Sequence, residues 1–394
     1  MYNFDTVISR QGTSALKYDF HQKYGKPQGV TPFWIADMDF QIAPEITAAL
    51  ERTTNHGMYG YTESGASYFA AVRDWFAQGF DYHIQGDWLV KTPGVVYALA
   101  MGIRAFSQPG DGVLIQKPLY YPIEQAIIAN GRTLLDNTLV YQNGRYTIDF
   151  ADFEAKAATA KIFILCNPHN PVGRVWTADE LAEMGRICQK HGVIVISDEI
   201  HCDIIAPGHK HMVFSNICPQ VPSIICTSPS KSFNLAGLQL SNIFIQRQDL
   251  RDLFVAEIGK TGYSQLNTMG IVACEAAYRH GRPWLEAANR YIFQNAATIK
   301  SLLAQKLPQA HVVDLEGTYL LWVDFHGLDI AHDQLEQILL NEVKVWFSSG
   351  TTFGHTGDGF FRINLACPRS LLEGIPFEHV RPLQPGQPLL PGQH

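Results

Sequence analysis

The chain has 394 residues, 46% hydrophobic and 17% charged, a composition that suits a globular protein of two or three domains and excludes a disordered one. Its formal net charge of −7 is spread without long runs of either sign, so nothing points to a nucleic-acid or membrane surface. No apolar stretch approaches the roughly 18–20 residues of a membrane span. The start lacks a secretory pattern, and the seven cysteines are scattered without a C-x-x-C pair, so a cytoplasmic protein with reduced thiols is expected.

Taken in chain order, WLVKT (88–92) reads as a strand and GVVYALAMGIRAF (94–106) as a helix. GVLIQKP (112–118) is a strand, followed by a helix over YPIEQAIIAN (121–130) with Gly131 as its C-cap. TLLDNTL (133–139) and KIFILCNP (161–168) are further strands. Thr177 opens a helix, Glu180 completes a capping box, and the helix runs to about His191 before Gly192. VIVIS (193–197) and SIICTS (223–228) are again strands. Several of these runs are apolar throughout rather than alternating, as in a sheet covered on both faces. The β-α order predicts an α/β fold, a mostly parallel central sheet with helices on both faces.

From about residue 249 to 306 the chain reads as mainly helical. GTYLLWVDF (317–325), a helix near 332–342, KVWFSSG (344–350) and GFFRINLACP (359–368) follow, an α+β pattern that predicts a second, smaller domain. The expected division is an N-terminal arm with part of the small domain (1–45), a large domain (46–285), the small domain (286–380) and a Pro-rich, non-helical tail (381–394).

In an open α/β sheet, ligands bind beyond the carboxyl ends of the strands. The residues that follow the expected strands are Gly94, Val95 and Val96; Lys117 and Tyr120; Asn167, His169 and Asn170; Asp198, Glu199 and His201; and Ser228, Ser230 and Lys231. Singly, an Asp or Asn in such a place is more often a turn former or a cap. Five strand ends converging on one crevice are a stronger signal. A helix that starts at Gly94 offers free N–H groups to a phosphate, with Ser228 and Ser230 as hydroxyl donors. The chain has no G-x-G-x-x-G and no G-x-x-x-x-G-K-[ST], which removes dinucleotide and P-loop readings. A lysine such as Lys231 can form a Schiff base with an aldehyde cofactor, and a carboxylate such as Asp198 keeps a pyridine nitrogen protonated. Tyr120 can stack on such a ring, and Asn170 and His201 can hydrogen-bond its phenolic oxygen.

Taken alone, Lys231 is also readable as a surface lysine or as part of a serine hydrolase. Ser228-Pro229-Ser230-Lys231, Ser232-Phe233-Asn234 and Lys260-Thr261-Gly262 mimic the S-x-x-K, S-x-N and K-T-G motifs of penicillin-recognising enzymes. There the motifs face one another across a cleft. Here the first two abut and the third follows a helix end, so the acyl-hydrolase reading is disfavoured.

NPHNPVG (167–173), SDEIHCD (197–203), SPSKSFNLAGLQ (228–239) and FFRINLACPR (360–369) resemble the fold-type I pyridoxal-phosphate enzymes of the class I/II aminotransferase superfamily. Within it, WIADMDF (34–40), HGMYGYT (56–62) and SDEIHCD resemble the MalY/PatB group, bacterial C–S lyases of the cystathionine β-lyase type. The resemblance runs from about residue 2 to 370. It implies pyridoxal 5'-phosphate as cofactor and β-elimination from a cystathionine- or cysteine-type amino acid, giving a thiol, pyruvate and ammonia. Transamination of an L-amino acid begins with the same proton removal, so the site residues do not separate the two. A non-catalytic binding or regulatory role on the same fold is the reading from another class.

The resemblance assigns roles by position. Lys231 would hold the cofactor aldehyde and then take the substrate Cα proton, with Asp198 paired to the pyridine nitrogen and Tyr120 stacked on the ring. Asn170 and His201 would contact the ring's phenolic oxygen, while Val95, Val96, Ser228 and Ser230 cradle the phosphate. Arg362 would clamp the substrate α-carboxylate in a bidentate fork. The family shares its sites between subunits, which implies a homodimer in which Tyr61 reaches the neighbour's phosphate. Three positions depart from the pattern: Gln239 stands where many aminotransferases carry a phosphate-binding arginine, Val172 where threonine is common, and no closing helix is expected beyond Val380. His209 and His211 are expected in a solvated loop rather than at a metal, and Cys202 is expected to face away from the site.

Overall fold

A computed structural model describes residues 2–381. Beyond Arg381, the expected tail lies outside the described residues. The main sheet has seven strands: β1 (Leu89–Thr92), β2 (Gly112–Ile115), β3 (Thr133–Asp136), β4 (Ala160–Cys166), β5 (Ile194–Asp198), β6 (Ser223–Thr227) and β7 (Ser241–Phe244). Their order across the sheet is β1-β7-β6-β5-β4-β2-β3. Neighbours run parallel except at β7, which is antiparallel to both β1 and β6. The expected parallel sheet is therefore present, with β7 added to it. Four residues are too few to show a periodicity, which is why that strand has no signature of its own.

β2 and β6 are buried at every position, as continuous apolar runs require. On one face, Ile162, Ile196, Ile224 and Ile243 pack with Leu99 and Ile103 of the helix Val95–Phe106. Gly102 lets that helix close on the sheet, since a Cβ there would lie 2.8 Å from Ile196 Cδ1. On the other face, Phe163, Ile225 and Phe244 join a core with Trp75 and Phe76 of the helix Ala66–Phe80. That helix and Pro44–His56 add to the expected set. The helix Ala178–His191 has the expected capping box between Thr177 and Glu180, and Gly192 closes it at φ 68°. β2 and β3 stop at Ile115 and Asp136, short of the expected 118 and 139. The polar chain beyond β2 leaves the sheet toward the cleft, where the Leu119 N–H donates to Phe353 O at 2.9 Å.

A second, antiparallel sheet follows the order His311–Val312, Leu320–Asp324, Phe360–Asn364, Ser348–Ser349. The long helix Arg282–Lys306 and the helix His332–Asn341 share its core through Ile299, Leu303, Leu335 and Leu339. KVWFSSG therefore divides between two pairings, because Val345–Trp346 lies instead beside Thr31–Pro32 in parallel register. That pairing ties the N-terminal segment to the second half of the chain. Among the described residues no helix is long and apolar enough to cross a membrane.

Candidate active site

The carboxyl ends of β1, β4, β5 and β6 open into one cleft of about 460 Å³. Val95, Val96, Tyr120, Asn170, Asp198, His201, Ser228, Ser230 and Lys231 all line it. Arg362 reaches its edge through Asn170. Tyr61 does not: it is 95% exposed on the loop that precedes the helix Ala66–Phe80.

Lys231 sits on a one-turn helix, Pro229–Ser232. Ser228 caps it, its Oγ accepting from the Ser230 N–H at 3.1 Å, and Pro229 fills the first position without losing a needed donor. From the other side, the Ser232 hydroxyl donates to half-buried Asp203 at 2.5 Å, and the Trp75 indole donates to the same carboxylate at 3.1 Å. The lysine Nζ donates to Ala36 O at 2.7 Å. Burial lowers its pKa to about 8; the Arg362 charge works in the same direction, while Asp37 and Asp198 oppose it.

Asp198 ends β5, in lateral register with Cys166 of β4 and Cys226 of β6. Among the described residues, the one hydrogen bond to its carboxyl comes from the Ile200 N–H at 3.2 Å. Burial pushes its pKa up to about 7. His201 is buried and held well below its ordinary pKa by burial, with Lys231 and Arg362 adding to the effect, so the ring is neutral; its Nδ1 has no partner. Tyr120 is raised to about 12 by burial and stays protonated, and its N–H donates to Asn170 O at 3.1 Å.

Arg362, in the strand Phe360–Asn364, is a buried cation with neutral acceptors. Its guanidinium donates to Asn170 Oδ1 at 2.8 Å, Trp34 O at 2.7 Å and Ser348 Oγ at 3.2 Å, and it lies 4.7 Å from the Phe353 ring centre. Nε has no partner, and burial lowers the pKa to about 10. No carboxylate pairs with it among the described residues, which is the electrostatic signature of a site for an incoming anion.

At the opposite end of the cleft, the helix Val95–Phe106 begins after Gly94 with no side-chain cap, leaving its first N–H groups free. Ser228 is less available than expected: its hydroxyl donates to Leu240 O at 2.7 Å. That bond, together with the direction of Lys231 toward Ala36, also leaves no Ser–Lys pair of the hydrolase kind. Lys260 caps the end of the helix Gln248–Gly259, so K-T-G lies off the cleft as expected.

The segment Trp34–Phe40 is the part of the site that its side-chain chemistry does not reveal. It acts through main-chain carbonyls, Trp34 O toward Arg362 and Ala36 O toward Lys231. Two asparagines hold it. Asn234, at φ 58°, donates to Met38 O and accepts from the Met38 N–H, both at 2.9 Å. Asn364 donates to Ile35 O at 2.7 Å and Asp37 O at 2.6 Å. Buried Lys17 pairs with Asp39 at 2.6 Å, and Arg10 with Asp37 at 2.9 Å. WIADMDF marks the segment by resemblance but does not say which carbonyls are used, and Asn234 holds it from a left-handed backbone that asparagine tolerates.

One expectation is corrected. His209 is exposed, but His211 is buried against Glu199, with Nε2 2.8 Å from the carboxylate. Glu199 also accepts from Ser197 Oγ and the Phe214 N–H, each at 2.9 Å, so a buried carboxylate draws the histidine in from the loop. Among the described residues no group of three or more metal-ligating side chains occurs. Cys202 packs into the core, outside the residues that line the cleft.

A buried amine of lowered pKa and a buried carboxylate thus share one cleft, with a buried guanidinium at its edge and a helix N-terminus at its other end. Comparisons with known proteins agree with that geometry. Residues 35–374 match the model of the family described as aminotransferase class I and II. The cystathionine beta-lyase PatB of Bacillus subtilis is 39% identical over 378 residues, covering 94% of this chain and 97% of PatB. Protein MalY of Escherichia coli is 36% identical over 377 residues, covering 95% of this chain and 96% of MalY. Cystalysin from Treponema denticola, solved with a pyridoxal 5'-phosphate cofactor, superposes with a TM-score of 0.92 at 37% identity, covering 96% of this chain and 98% of that one. The chain belongs to the class I and II aminotransferase family, in the group that includes PatB and MalY.

Proposed function

We propose that the chain is a pyridoxal-phosphate-dependent C–S β-lyase acting on cystathionine- or cysteine-type amino acids. The observation that carries the reading is the facing pair of Lys231 and Asp198, a buried amine and a buried carboxylate with no cation bonded to it, in one cleft with the anion-seeking Arg362. The residues fit the cofactor. A protonated pyridine nitrogen supplies the hydrogen bond that Asp198 lacks. Unpaired His201 Nδ1 and the Asn170 amide suit a phenolic oxygen, and the free helix N-terminus at Val95 suits a phosphate.

Bound there, pyridoxal phosphate would serve as the electron sink for the bonds at the substrate α-carbon. The chain's own residues do the rest. Arg362, whose Nε is unpartnered, binds the α-carboxylate, which fixes the Cα–H bond. Lys231, with its pKa lowered to about 8, has a neutral amine in reach near physiological pH and takes the Cα proton. Tyr120 and His201 wall the ring site as neutral groups. The Cβ–S bond then breaks, the sulfur leaves as a thiol after gaining a proton, and addition of water gives pyruvate and ammonia.

Three further points belong to the same proposal. Exposed Tyr61 supports a homodimer in which it serves the partner's phosphate. The pairing of Thr31–Pro32 with Val345–Trp346 supports grouping the arm 1–45 with the small domain 286–380, against a large domain 46–285. Seven free, buried cysteines support a reducing, cytoplasmic setting.

The test is incubation with cystathionine and no keto-acid acceptor. Pyruvate and free thiol are expected, with yellow protein whose label borohydride fixes on Lys231. Accumulation of pyridoxamine phosphate without thiol would replace the lyase reading by transamination. Active protein eluting as a monomer on size exclusion would overturn the role of Tyr61.

A further inference from the structure

We propose that the hydroxyl of Ser241, seconded by the Gln239 side-chain amide, binds the cofactor phosphate in place of a cationic side chain. The inference rests on the pyridoxal-phosphate reading above.

Lys231 is the one cation among the described residues that line the cleft, and its amine is directed to Ala36 O. Position 239, where many aminotransferases place an arginine, carries a glutamine that lines the cleft at φ 49°. Ser228 gives its proton to Leu240 O. A phosphate at this end therefore meets the free N–H groups of Val95 and Val96 and needs further neutral donors.

Ser241 is placed to be one. It pairs with Thr92, two residues before Gly94, so it stands beside the turn that leads into the helix Val95–Phe106. Alternation along β7 sets its direction. Ile243 packs with Val95 and Leu99 of that helix, while Asn242 faces the other side and accepts from Tyr68 OH at 2.6 Å. Ser241 shares the face of Ile243, and it lines the cleft. Its Oγ is buried and has no hydrogen-bond partner. A buried hydroxyl without a partner is costly, and a phosphate oxygen removes that cost with a charge-assisted bond.

The experiment titrates cofactor-free protein with pyridoxal phosphate, with pyridoxal and with inorganic phosphate, following tryptophan fluorescence and melting temperature. S241A is expected to raise the Kd for pyridoxal phosphate about tenfold or more, the size of a bond to an ion. It should leave the Kd for pyridoxal unchanged and remove the thermal shift produced by inorganic phosphate. Q239R should tighten pyridoxal phosphate alone. An unchanged Kd in S241A, or equal weakening toward pyridoxal and its phosphate, overturns the role of Ser241 while the cofactor reading stands. Wild-type protein that binds neither compound overturns both. If cofactor-free S241A does not melt cooperatively, S241C, close in volume and a weak donor, faces the same criteria.

Discussion

Asp198 is held in a state that the folded chain without its cofactor disfavours. Burial raises its pKa from 3.8 to about 7, so between these values the folded protein binds more protons than the unfolded one. Stability is therefore lost as pH rises through that window. D198N removes the penalty: cofactor-free D198N should melt above wild type at pH 8, with a smaller difference at pH 5, while elimination activity falls by orders of magnitude. Thermal melts at the two pH values check the sign. Arg362 gives a different expectation. R362K keeps the charge but loses the fork and the stacking on Phe353, so KM for the amino acid should rise about ten- to a hundredfold, more than kcat falls. Lys231, Asp198, Asn170 and Arg362 were legible because each side chain acts in its own name, inside a motif. Ala36 and Trp34 were not, because a carbonyl oxygen is common to every residue and only the fold says which one is used.

The one-turn helix that carries Lys231 has too few residues to persist alone. It is set by its neighbours: the Ser228 cap at its start, Asp203 beneath Ser232, and Asn234 just past its end. Asn234 joins this turn to the segment that supplies the Ala36 carbonyl. N234A should therefore lower kcat about tenfold or more with a modest loss of melting temperature, through hydrogen bonds worth about 1 kcal/mol each. A change in melting temperature with kcat intact would show that the clamp only stabilises. Strands such as β4 and β6 were readable as apolar runs, and Thr177 with Glu180 as a cap, since these are local patterns. β7 and the divided KVWFSSG were not, since pairing partners far along the chain decide them.

At the scale of the whole molecule, many polar bonds join the part of the chain around the main sheet to the part around the second, among them Arg362 to Asn170, Leu119 to Phe353, Trp322 to Tyr146 and Arg174 to Glu316. The groups that would grip the substrate and take its proton come from different sheets: Arg362 lies in the second, and Lys231 follows β6 of the main one. All seven cysteines are buried, and burial raises the pKa of each thiol, including that of Cys166, which lines the cleft. For an enzyme whose product is itself a thiol, this has a chemical consequence. The native surface presents no thiolate to form mixed disulfides with what is released, and none to attack a disulfide substrate out of turn. A colorimetric disulfide reagent should accordingly report product alone in the folded protein, and seven further equivalents should appear only when denaturant opens the core.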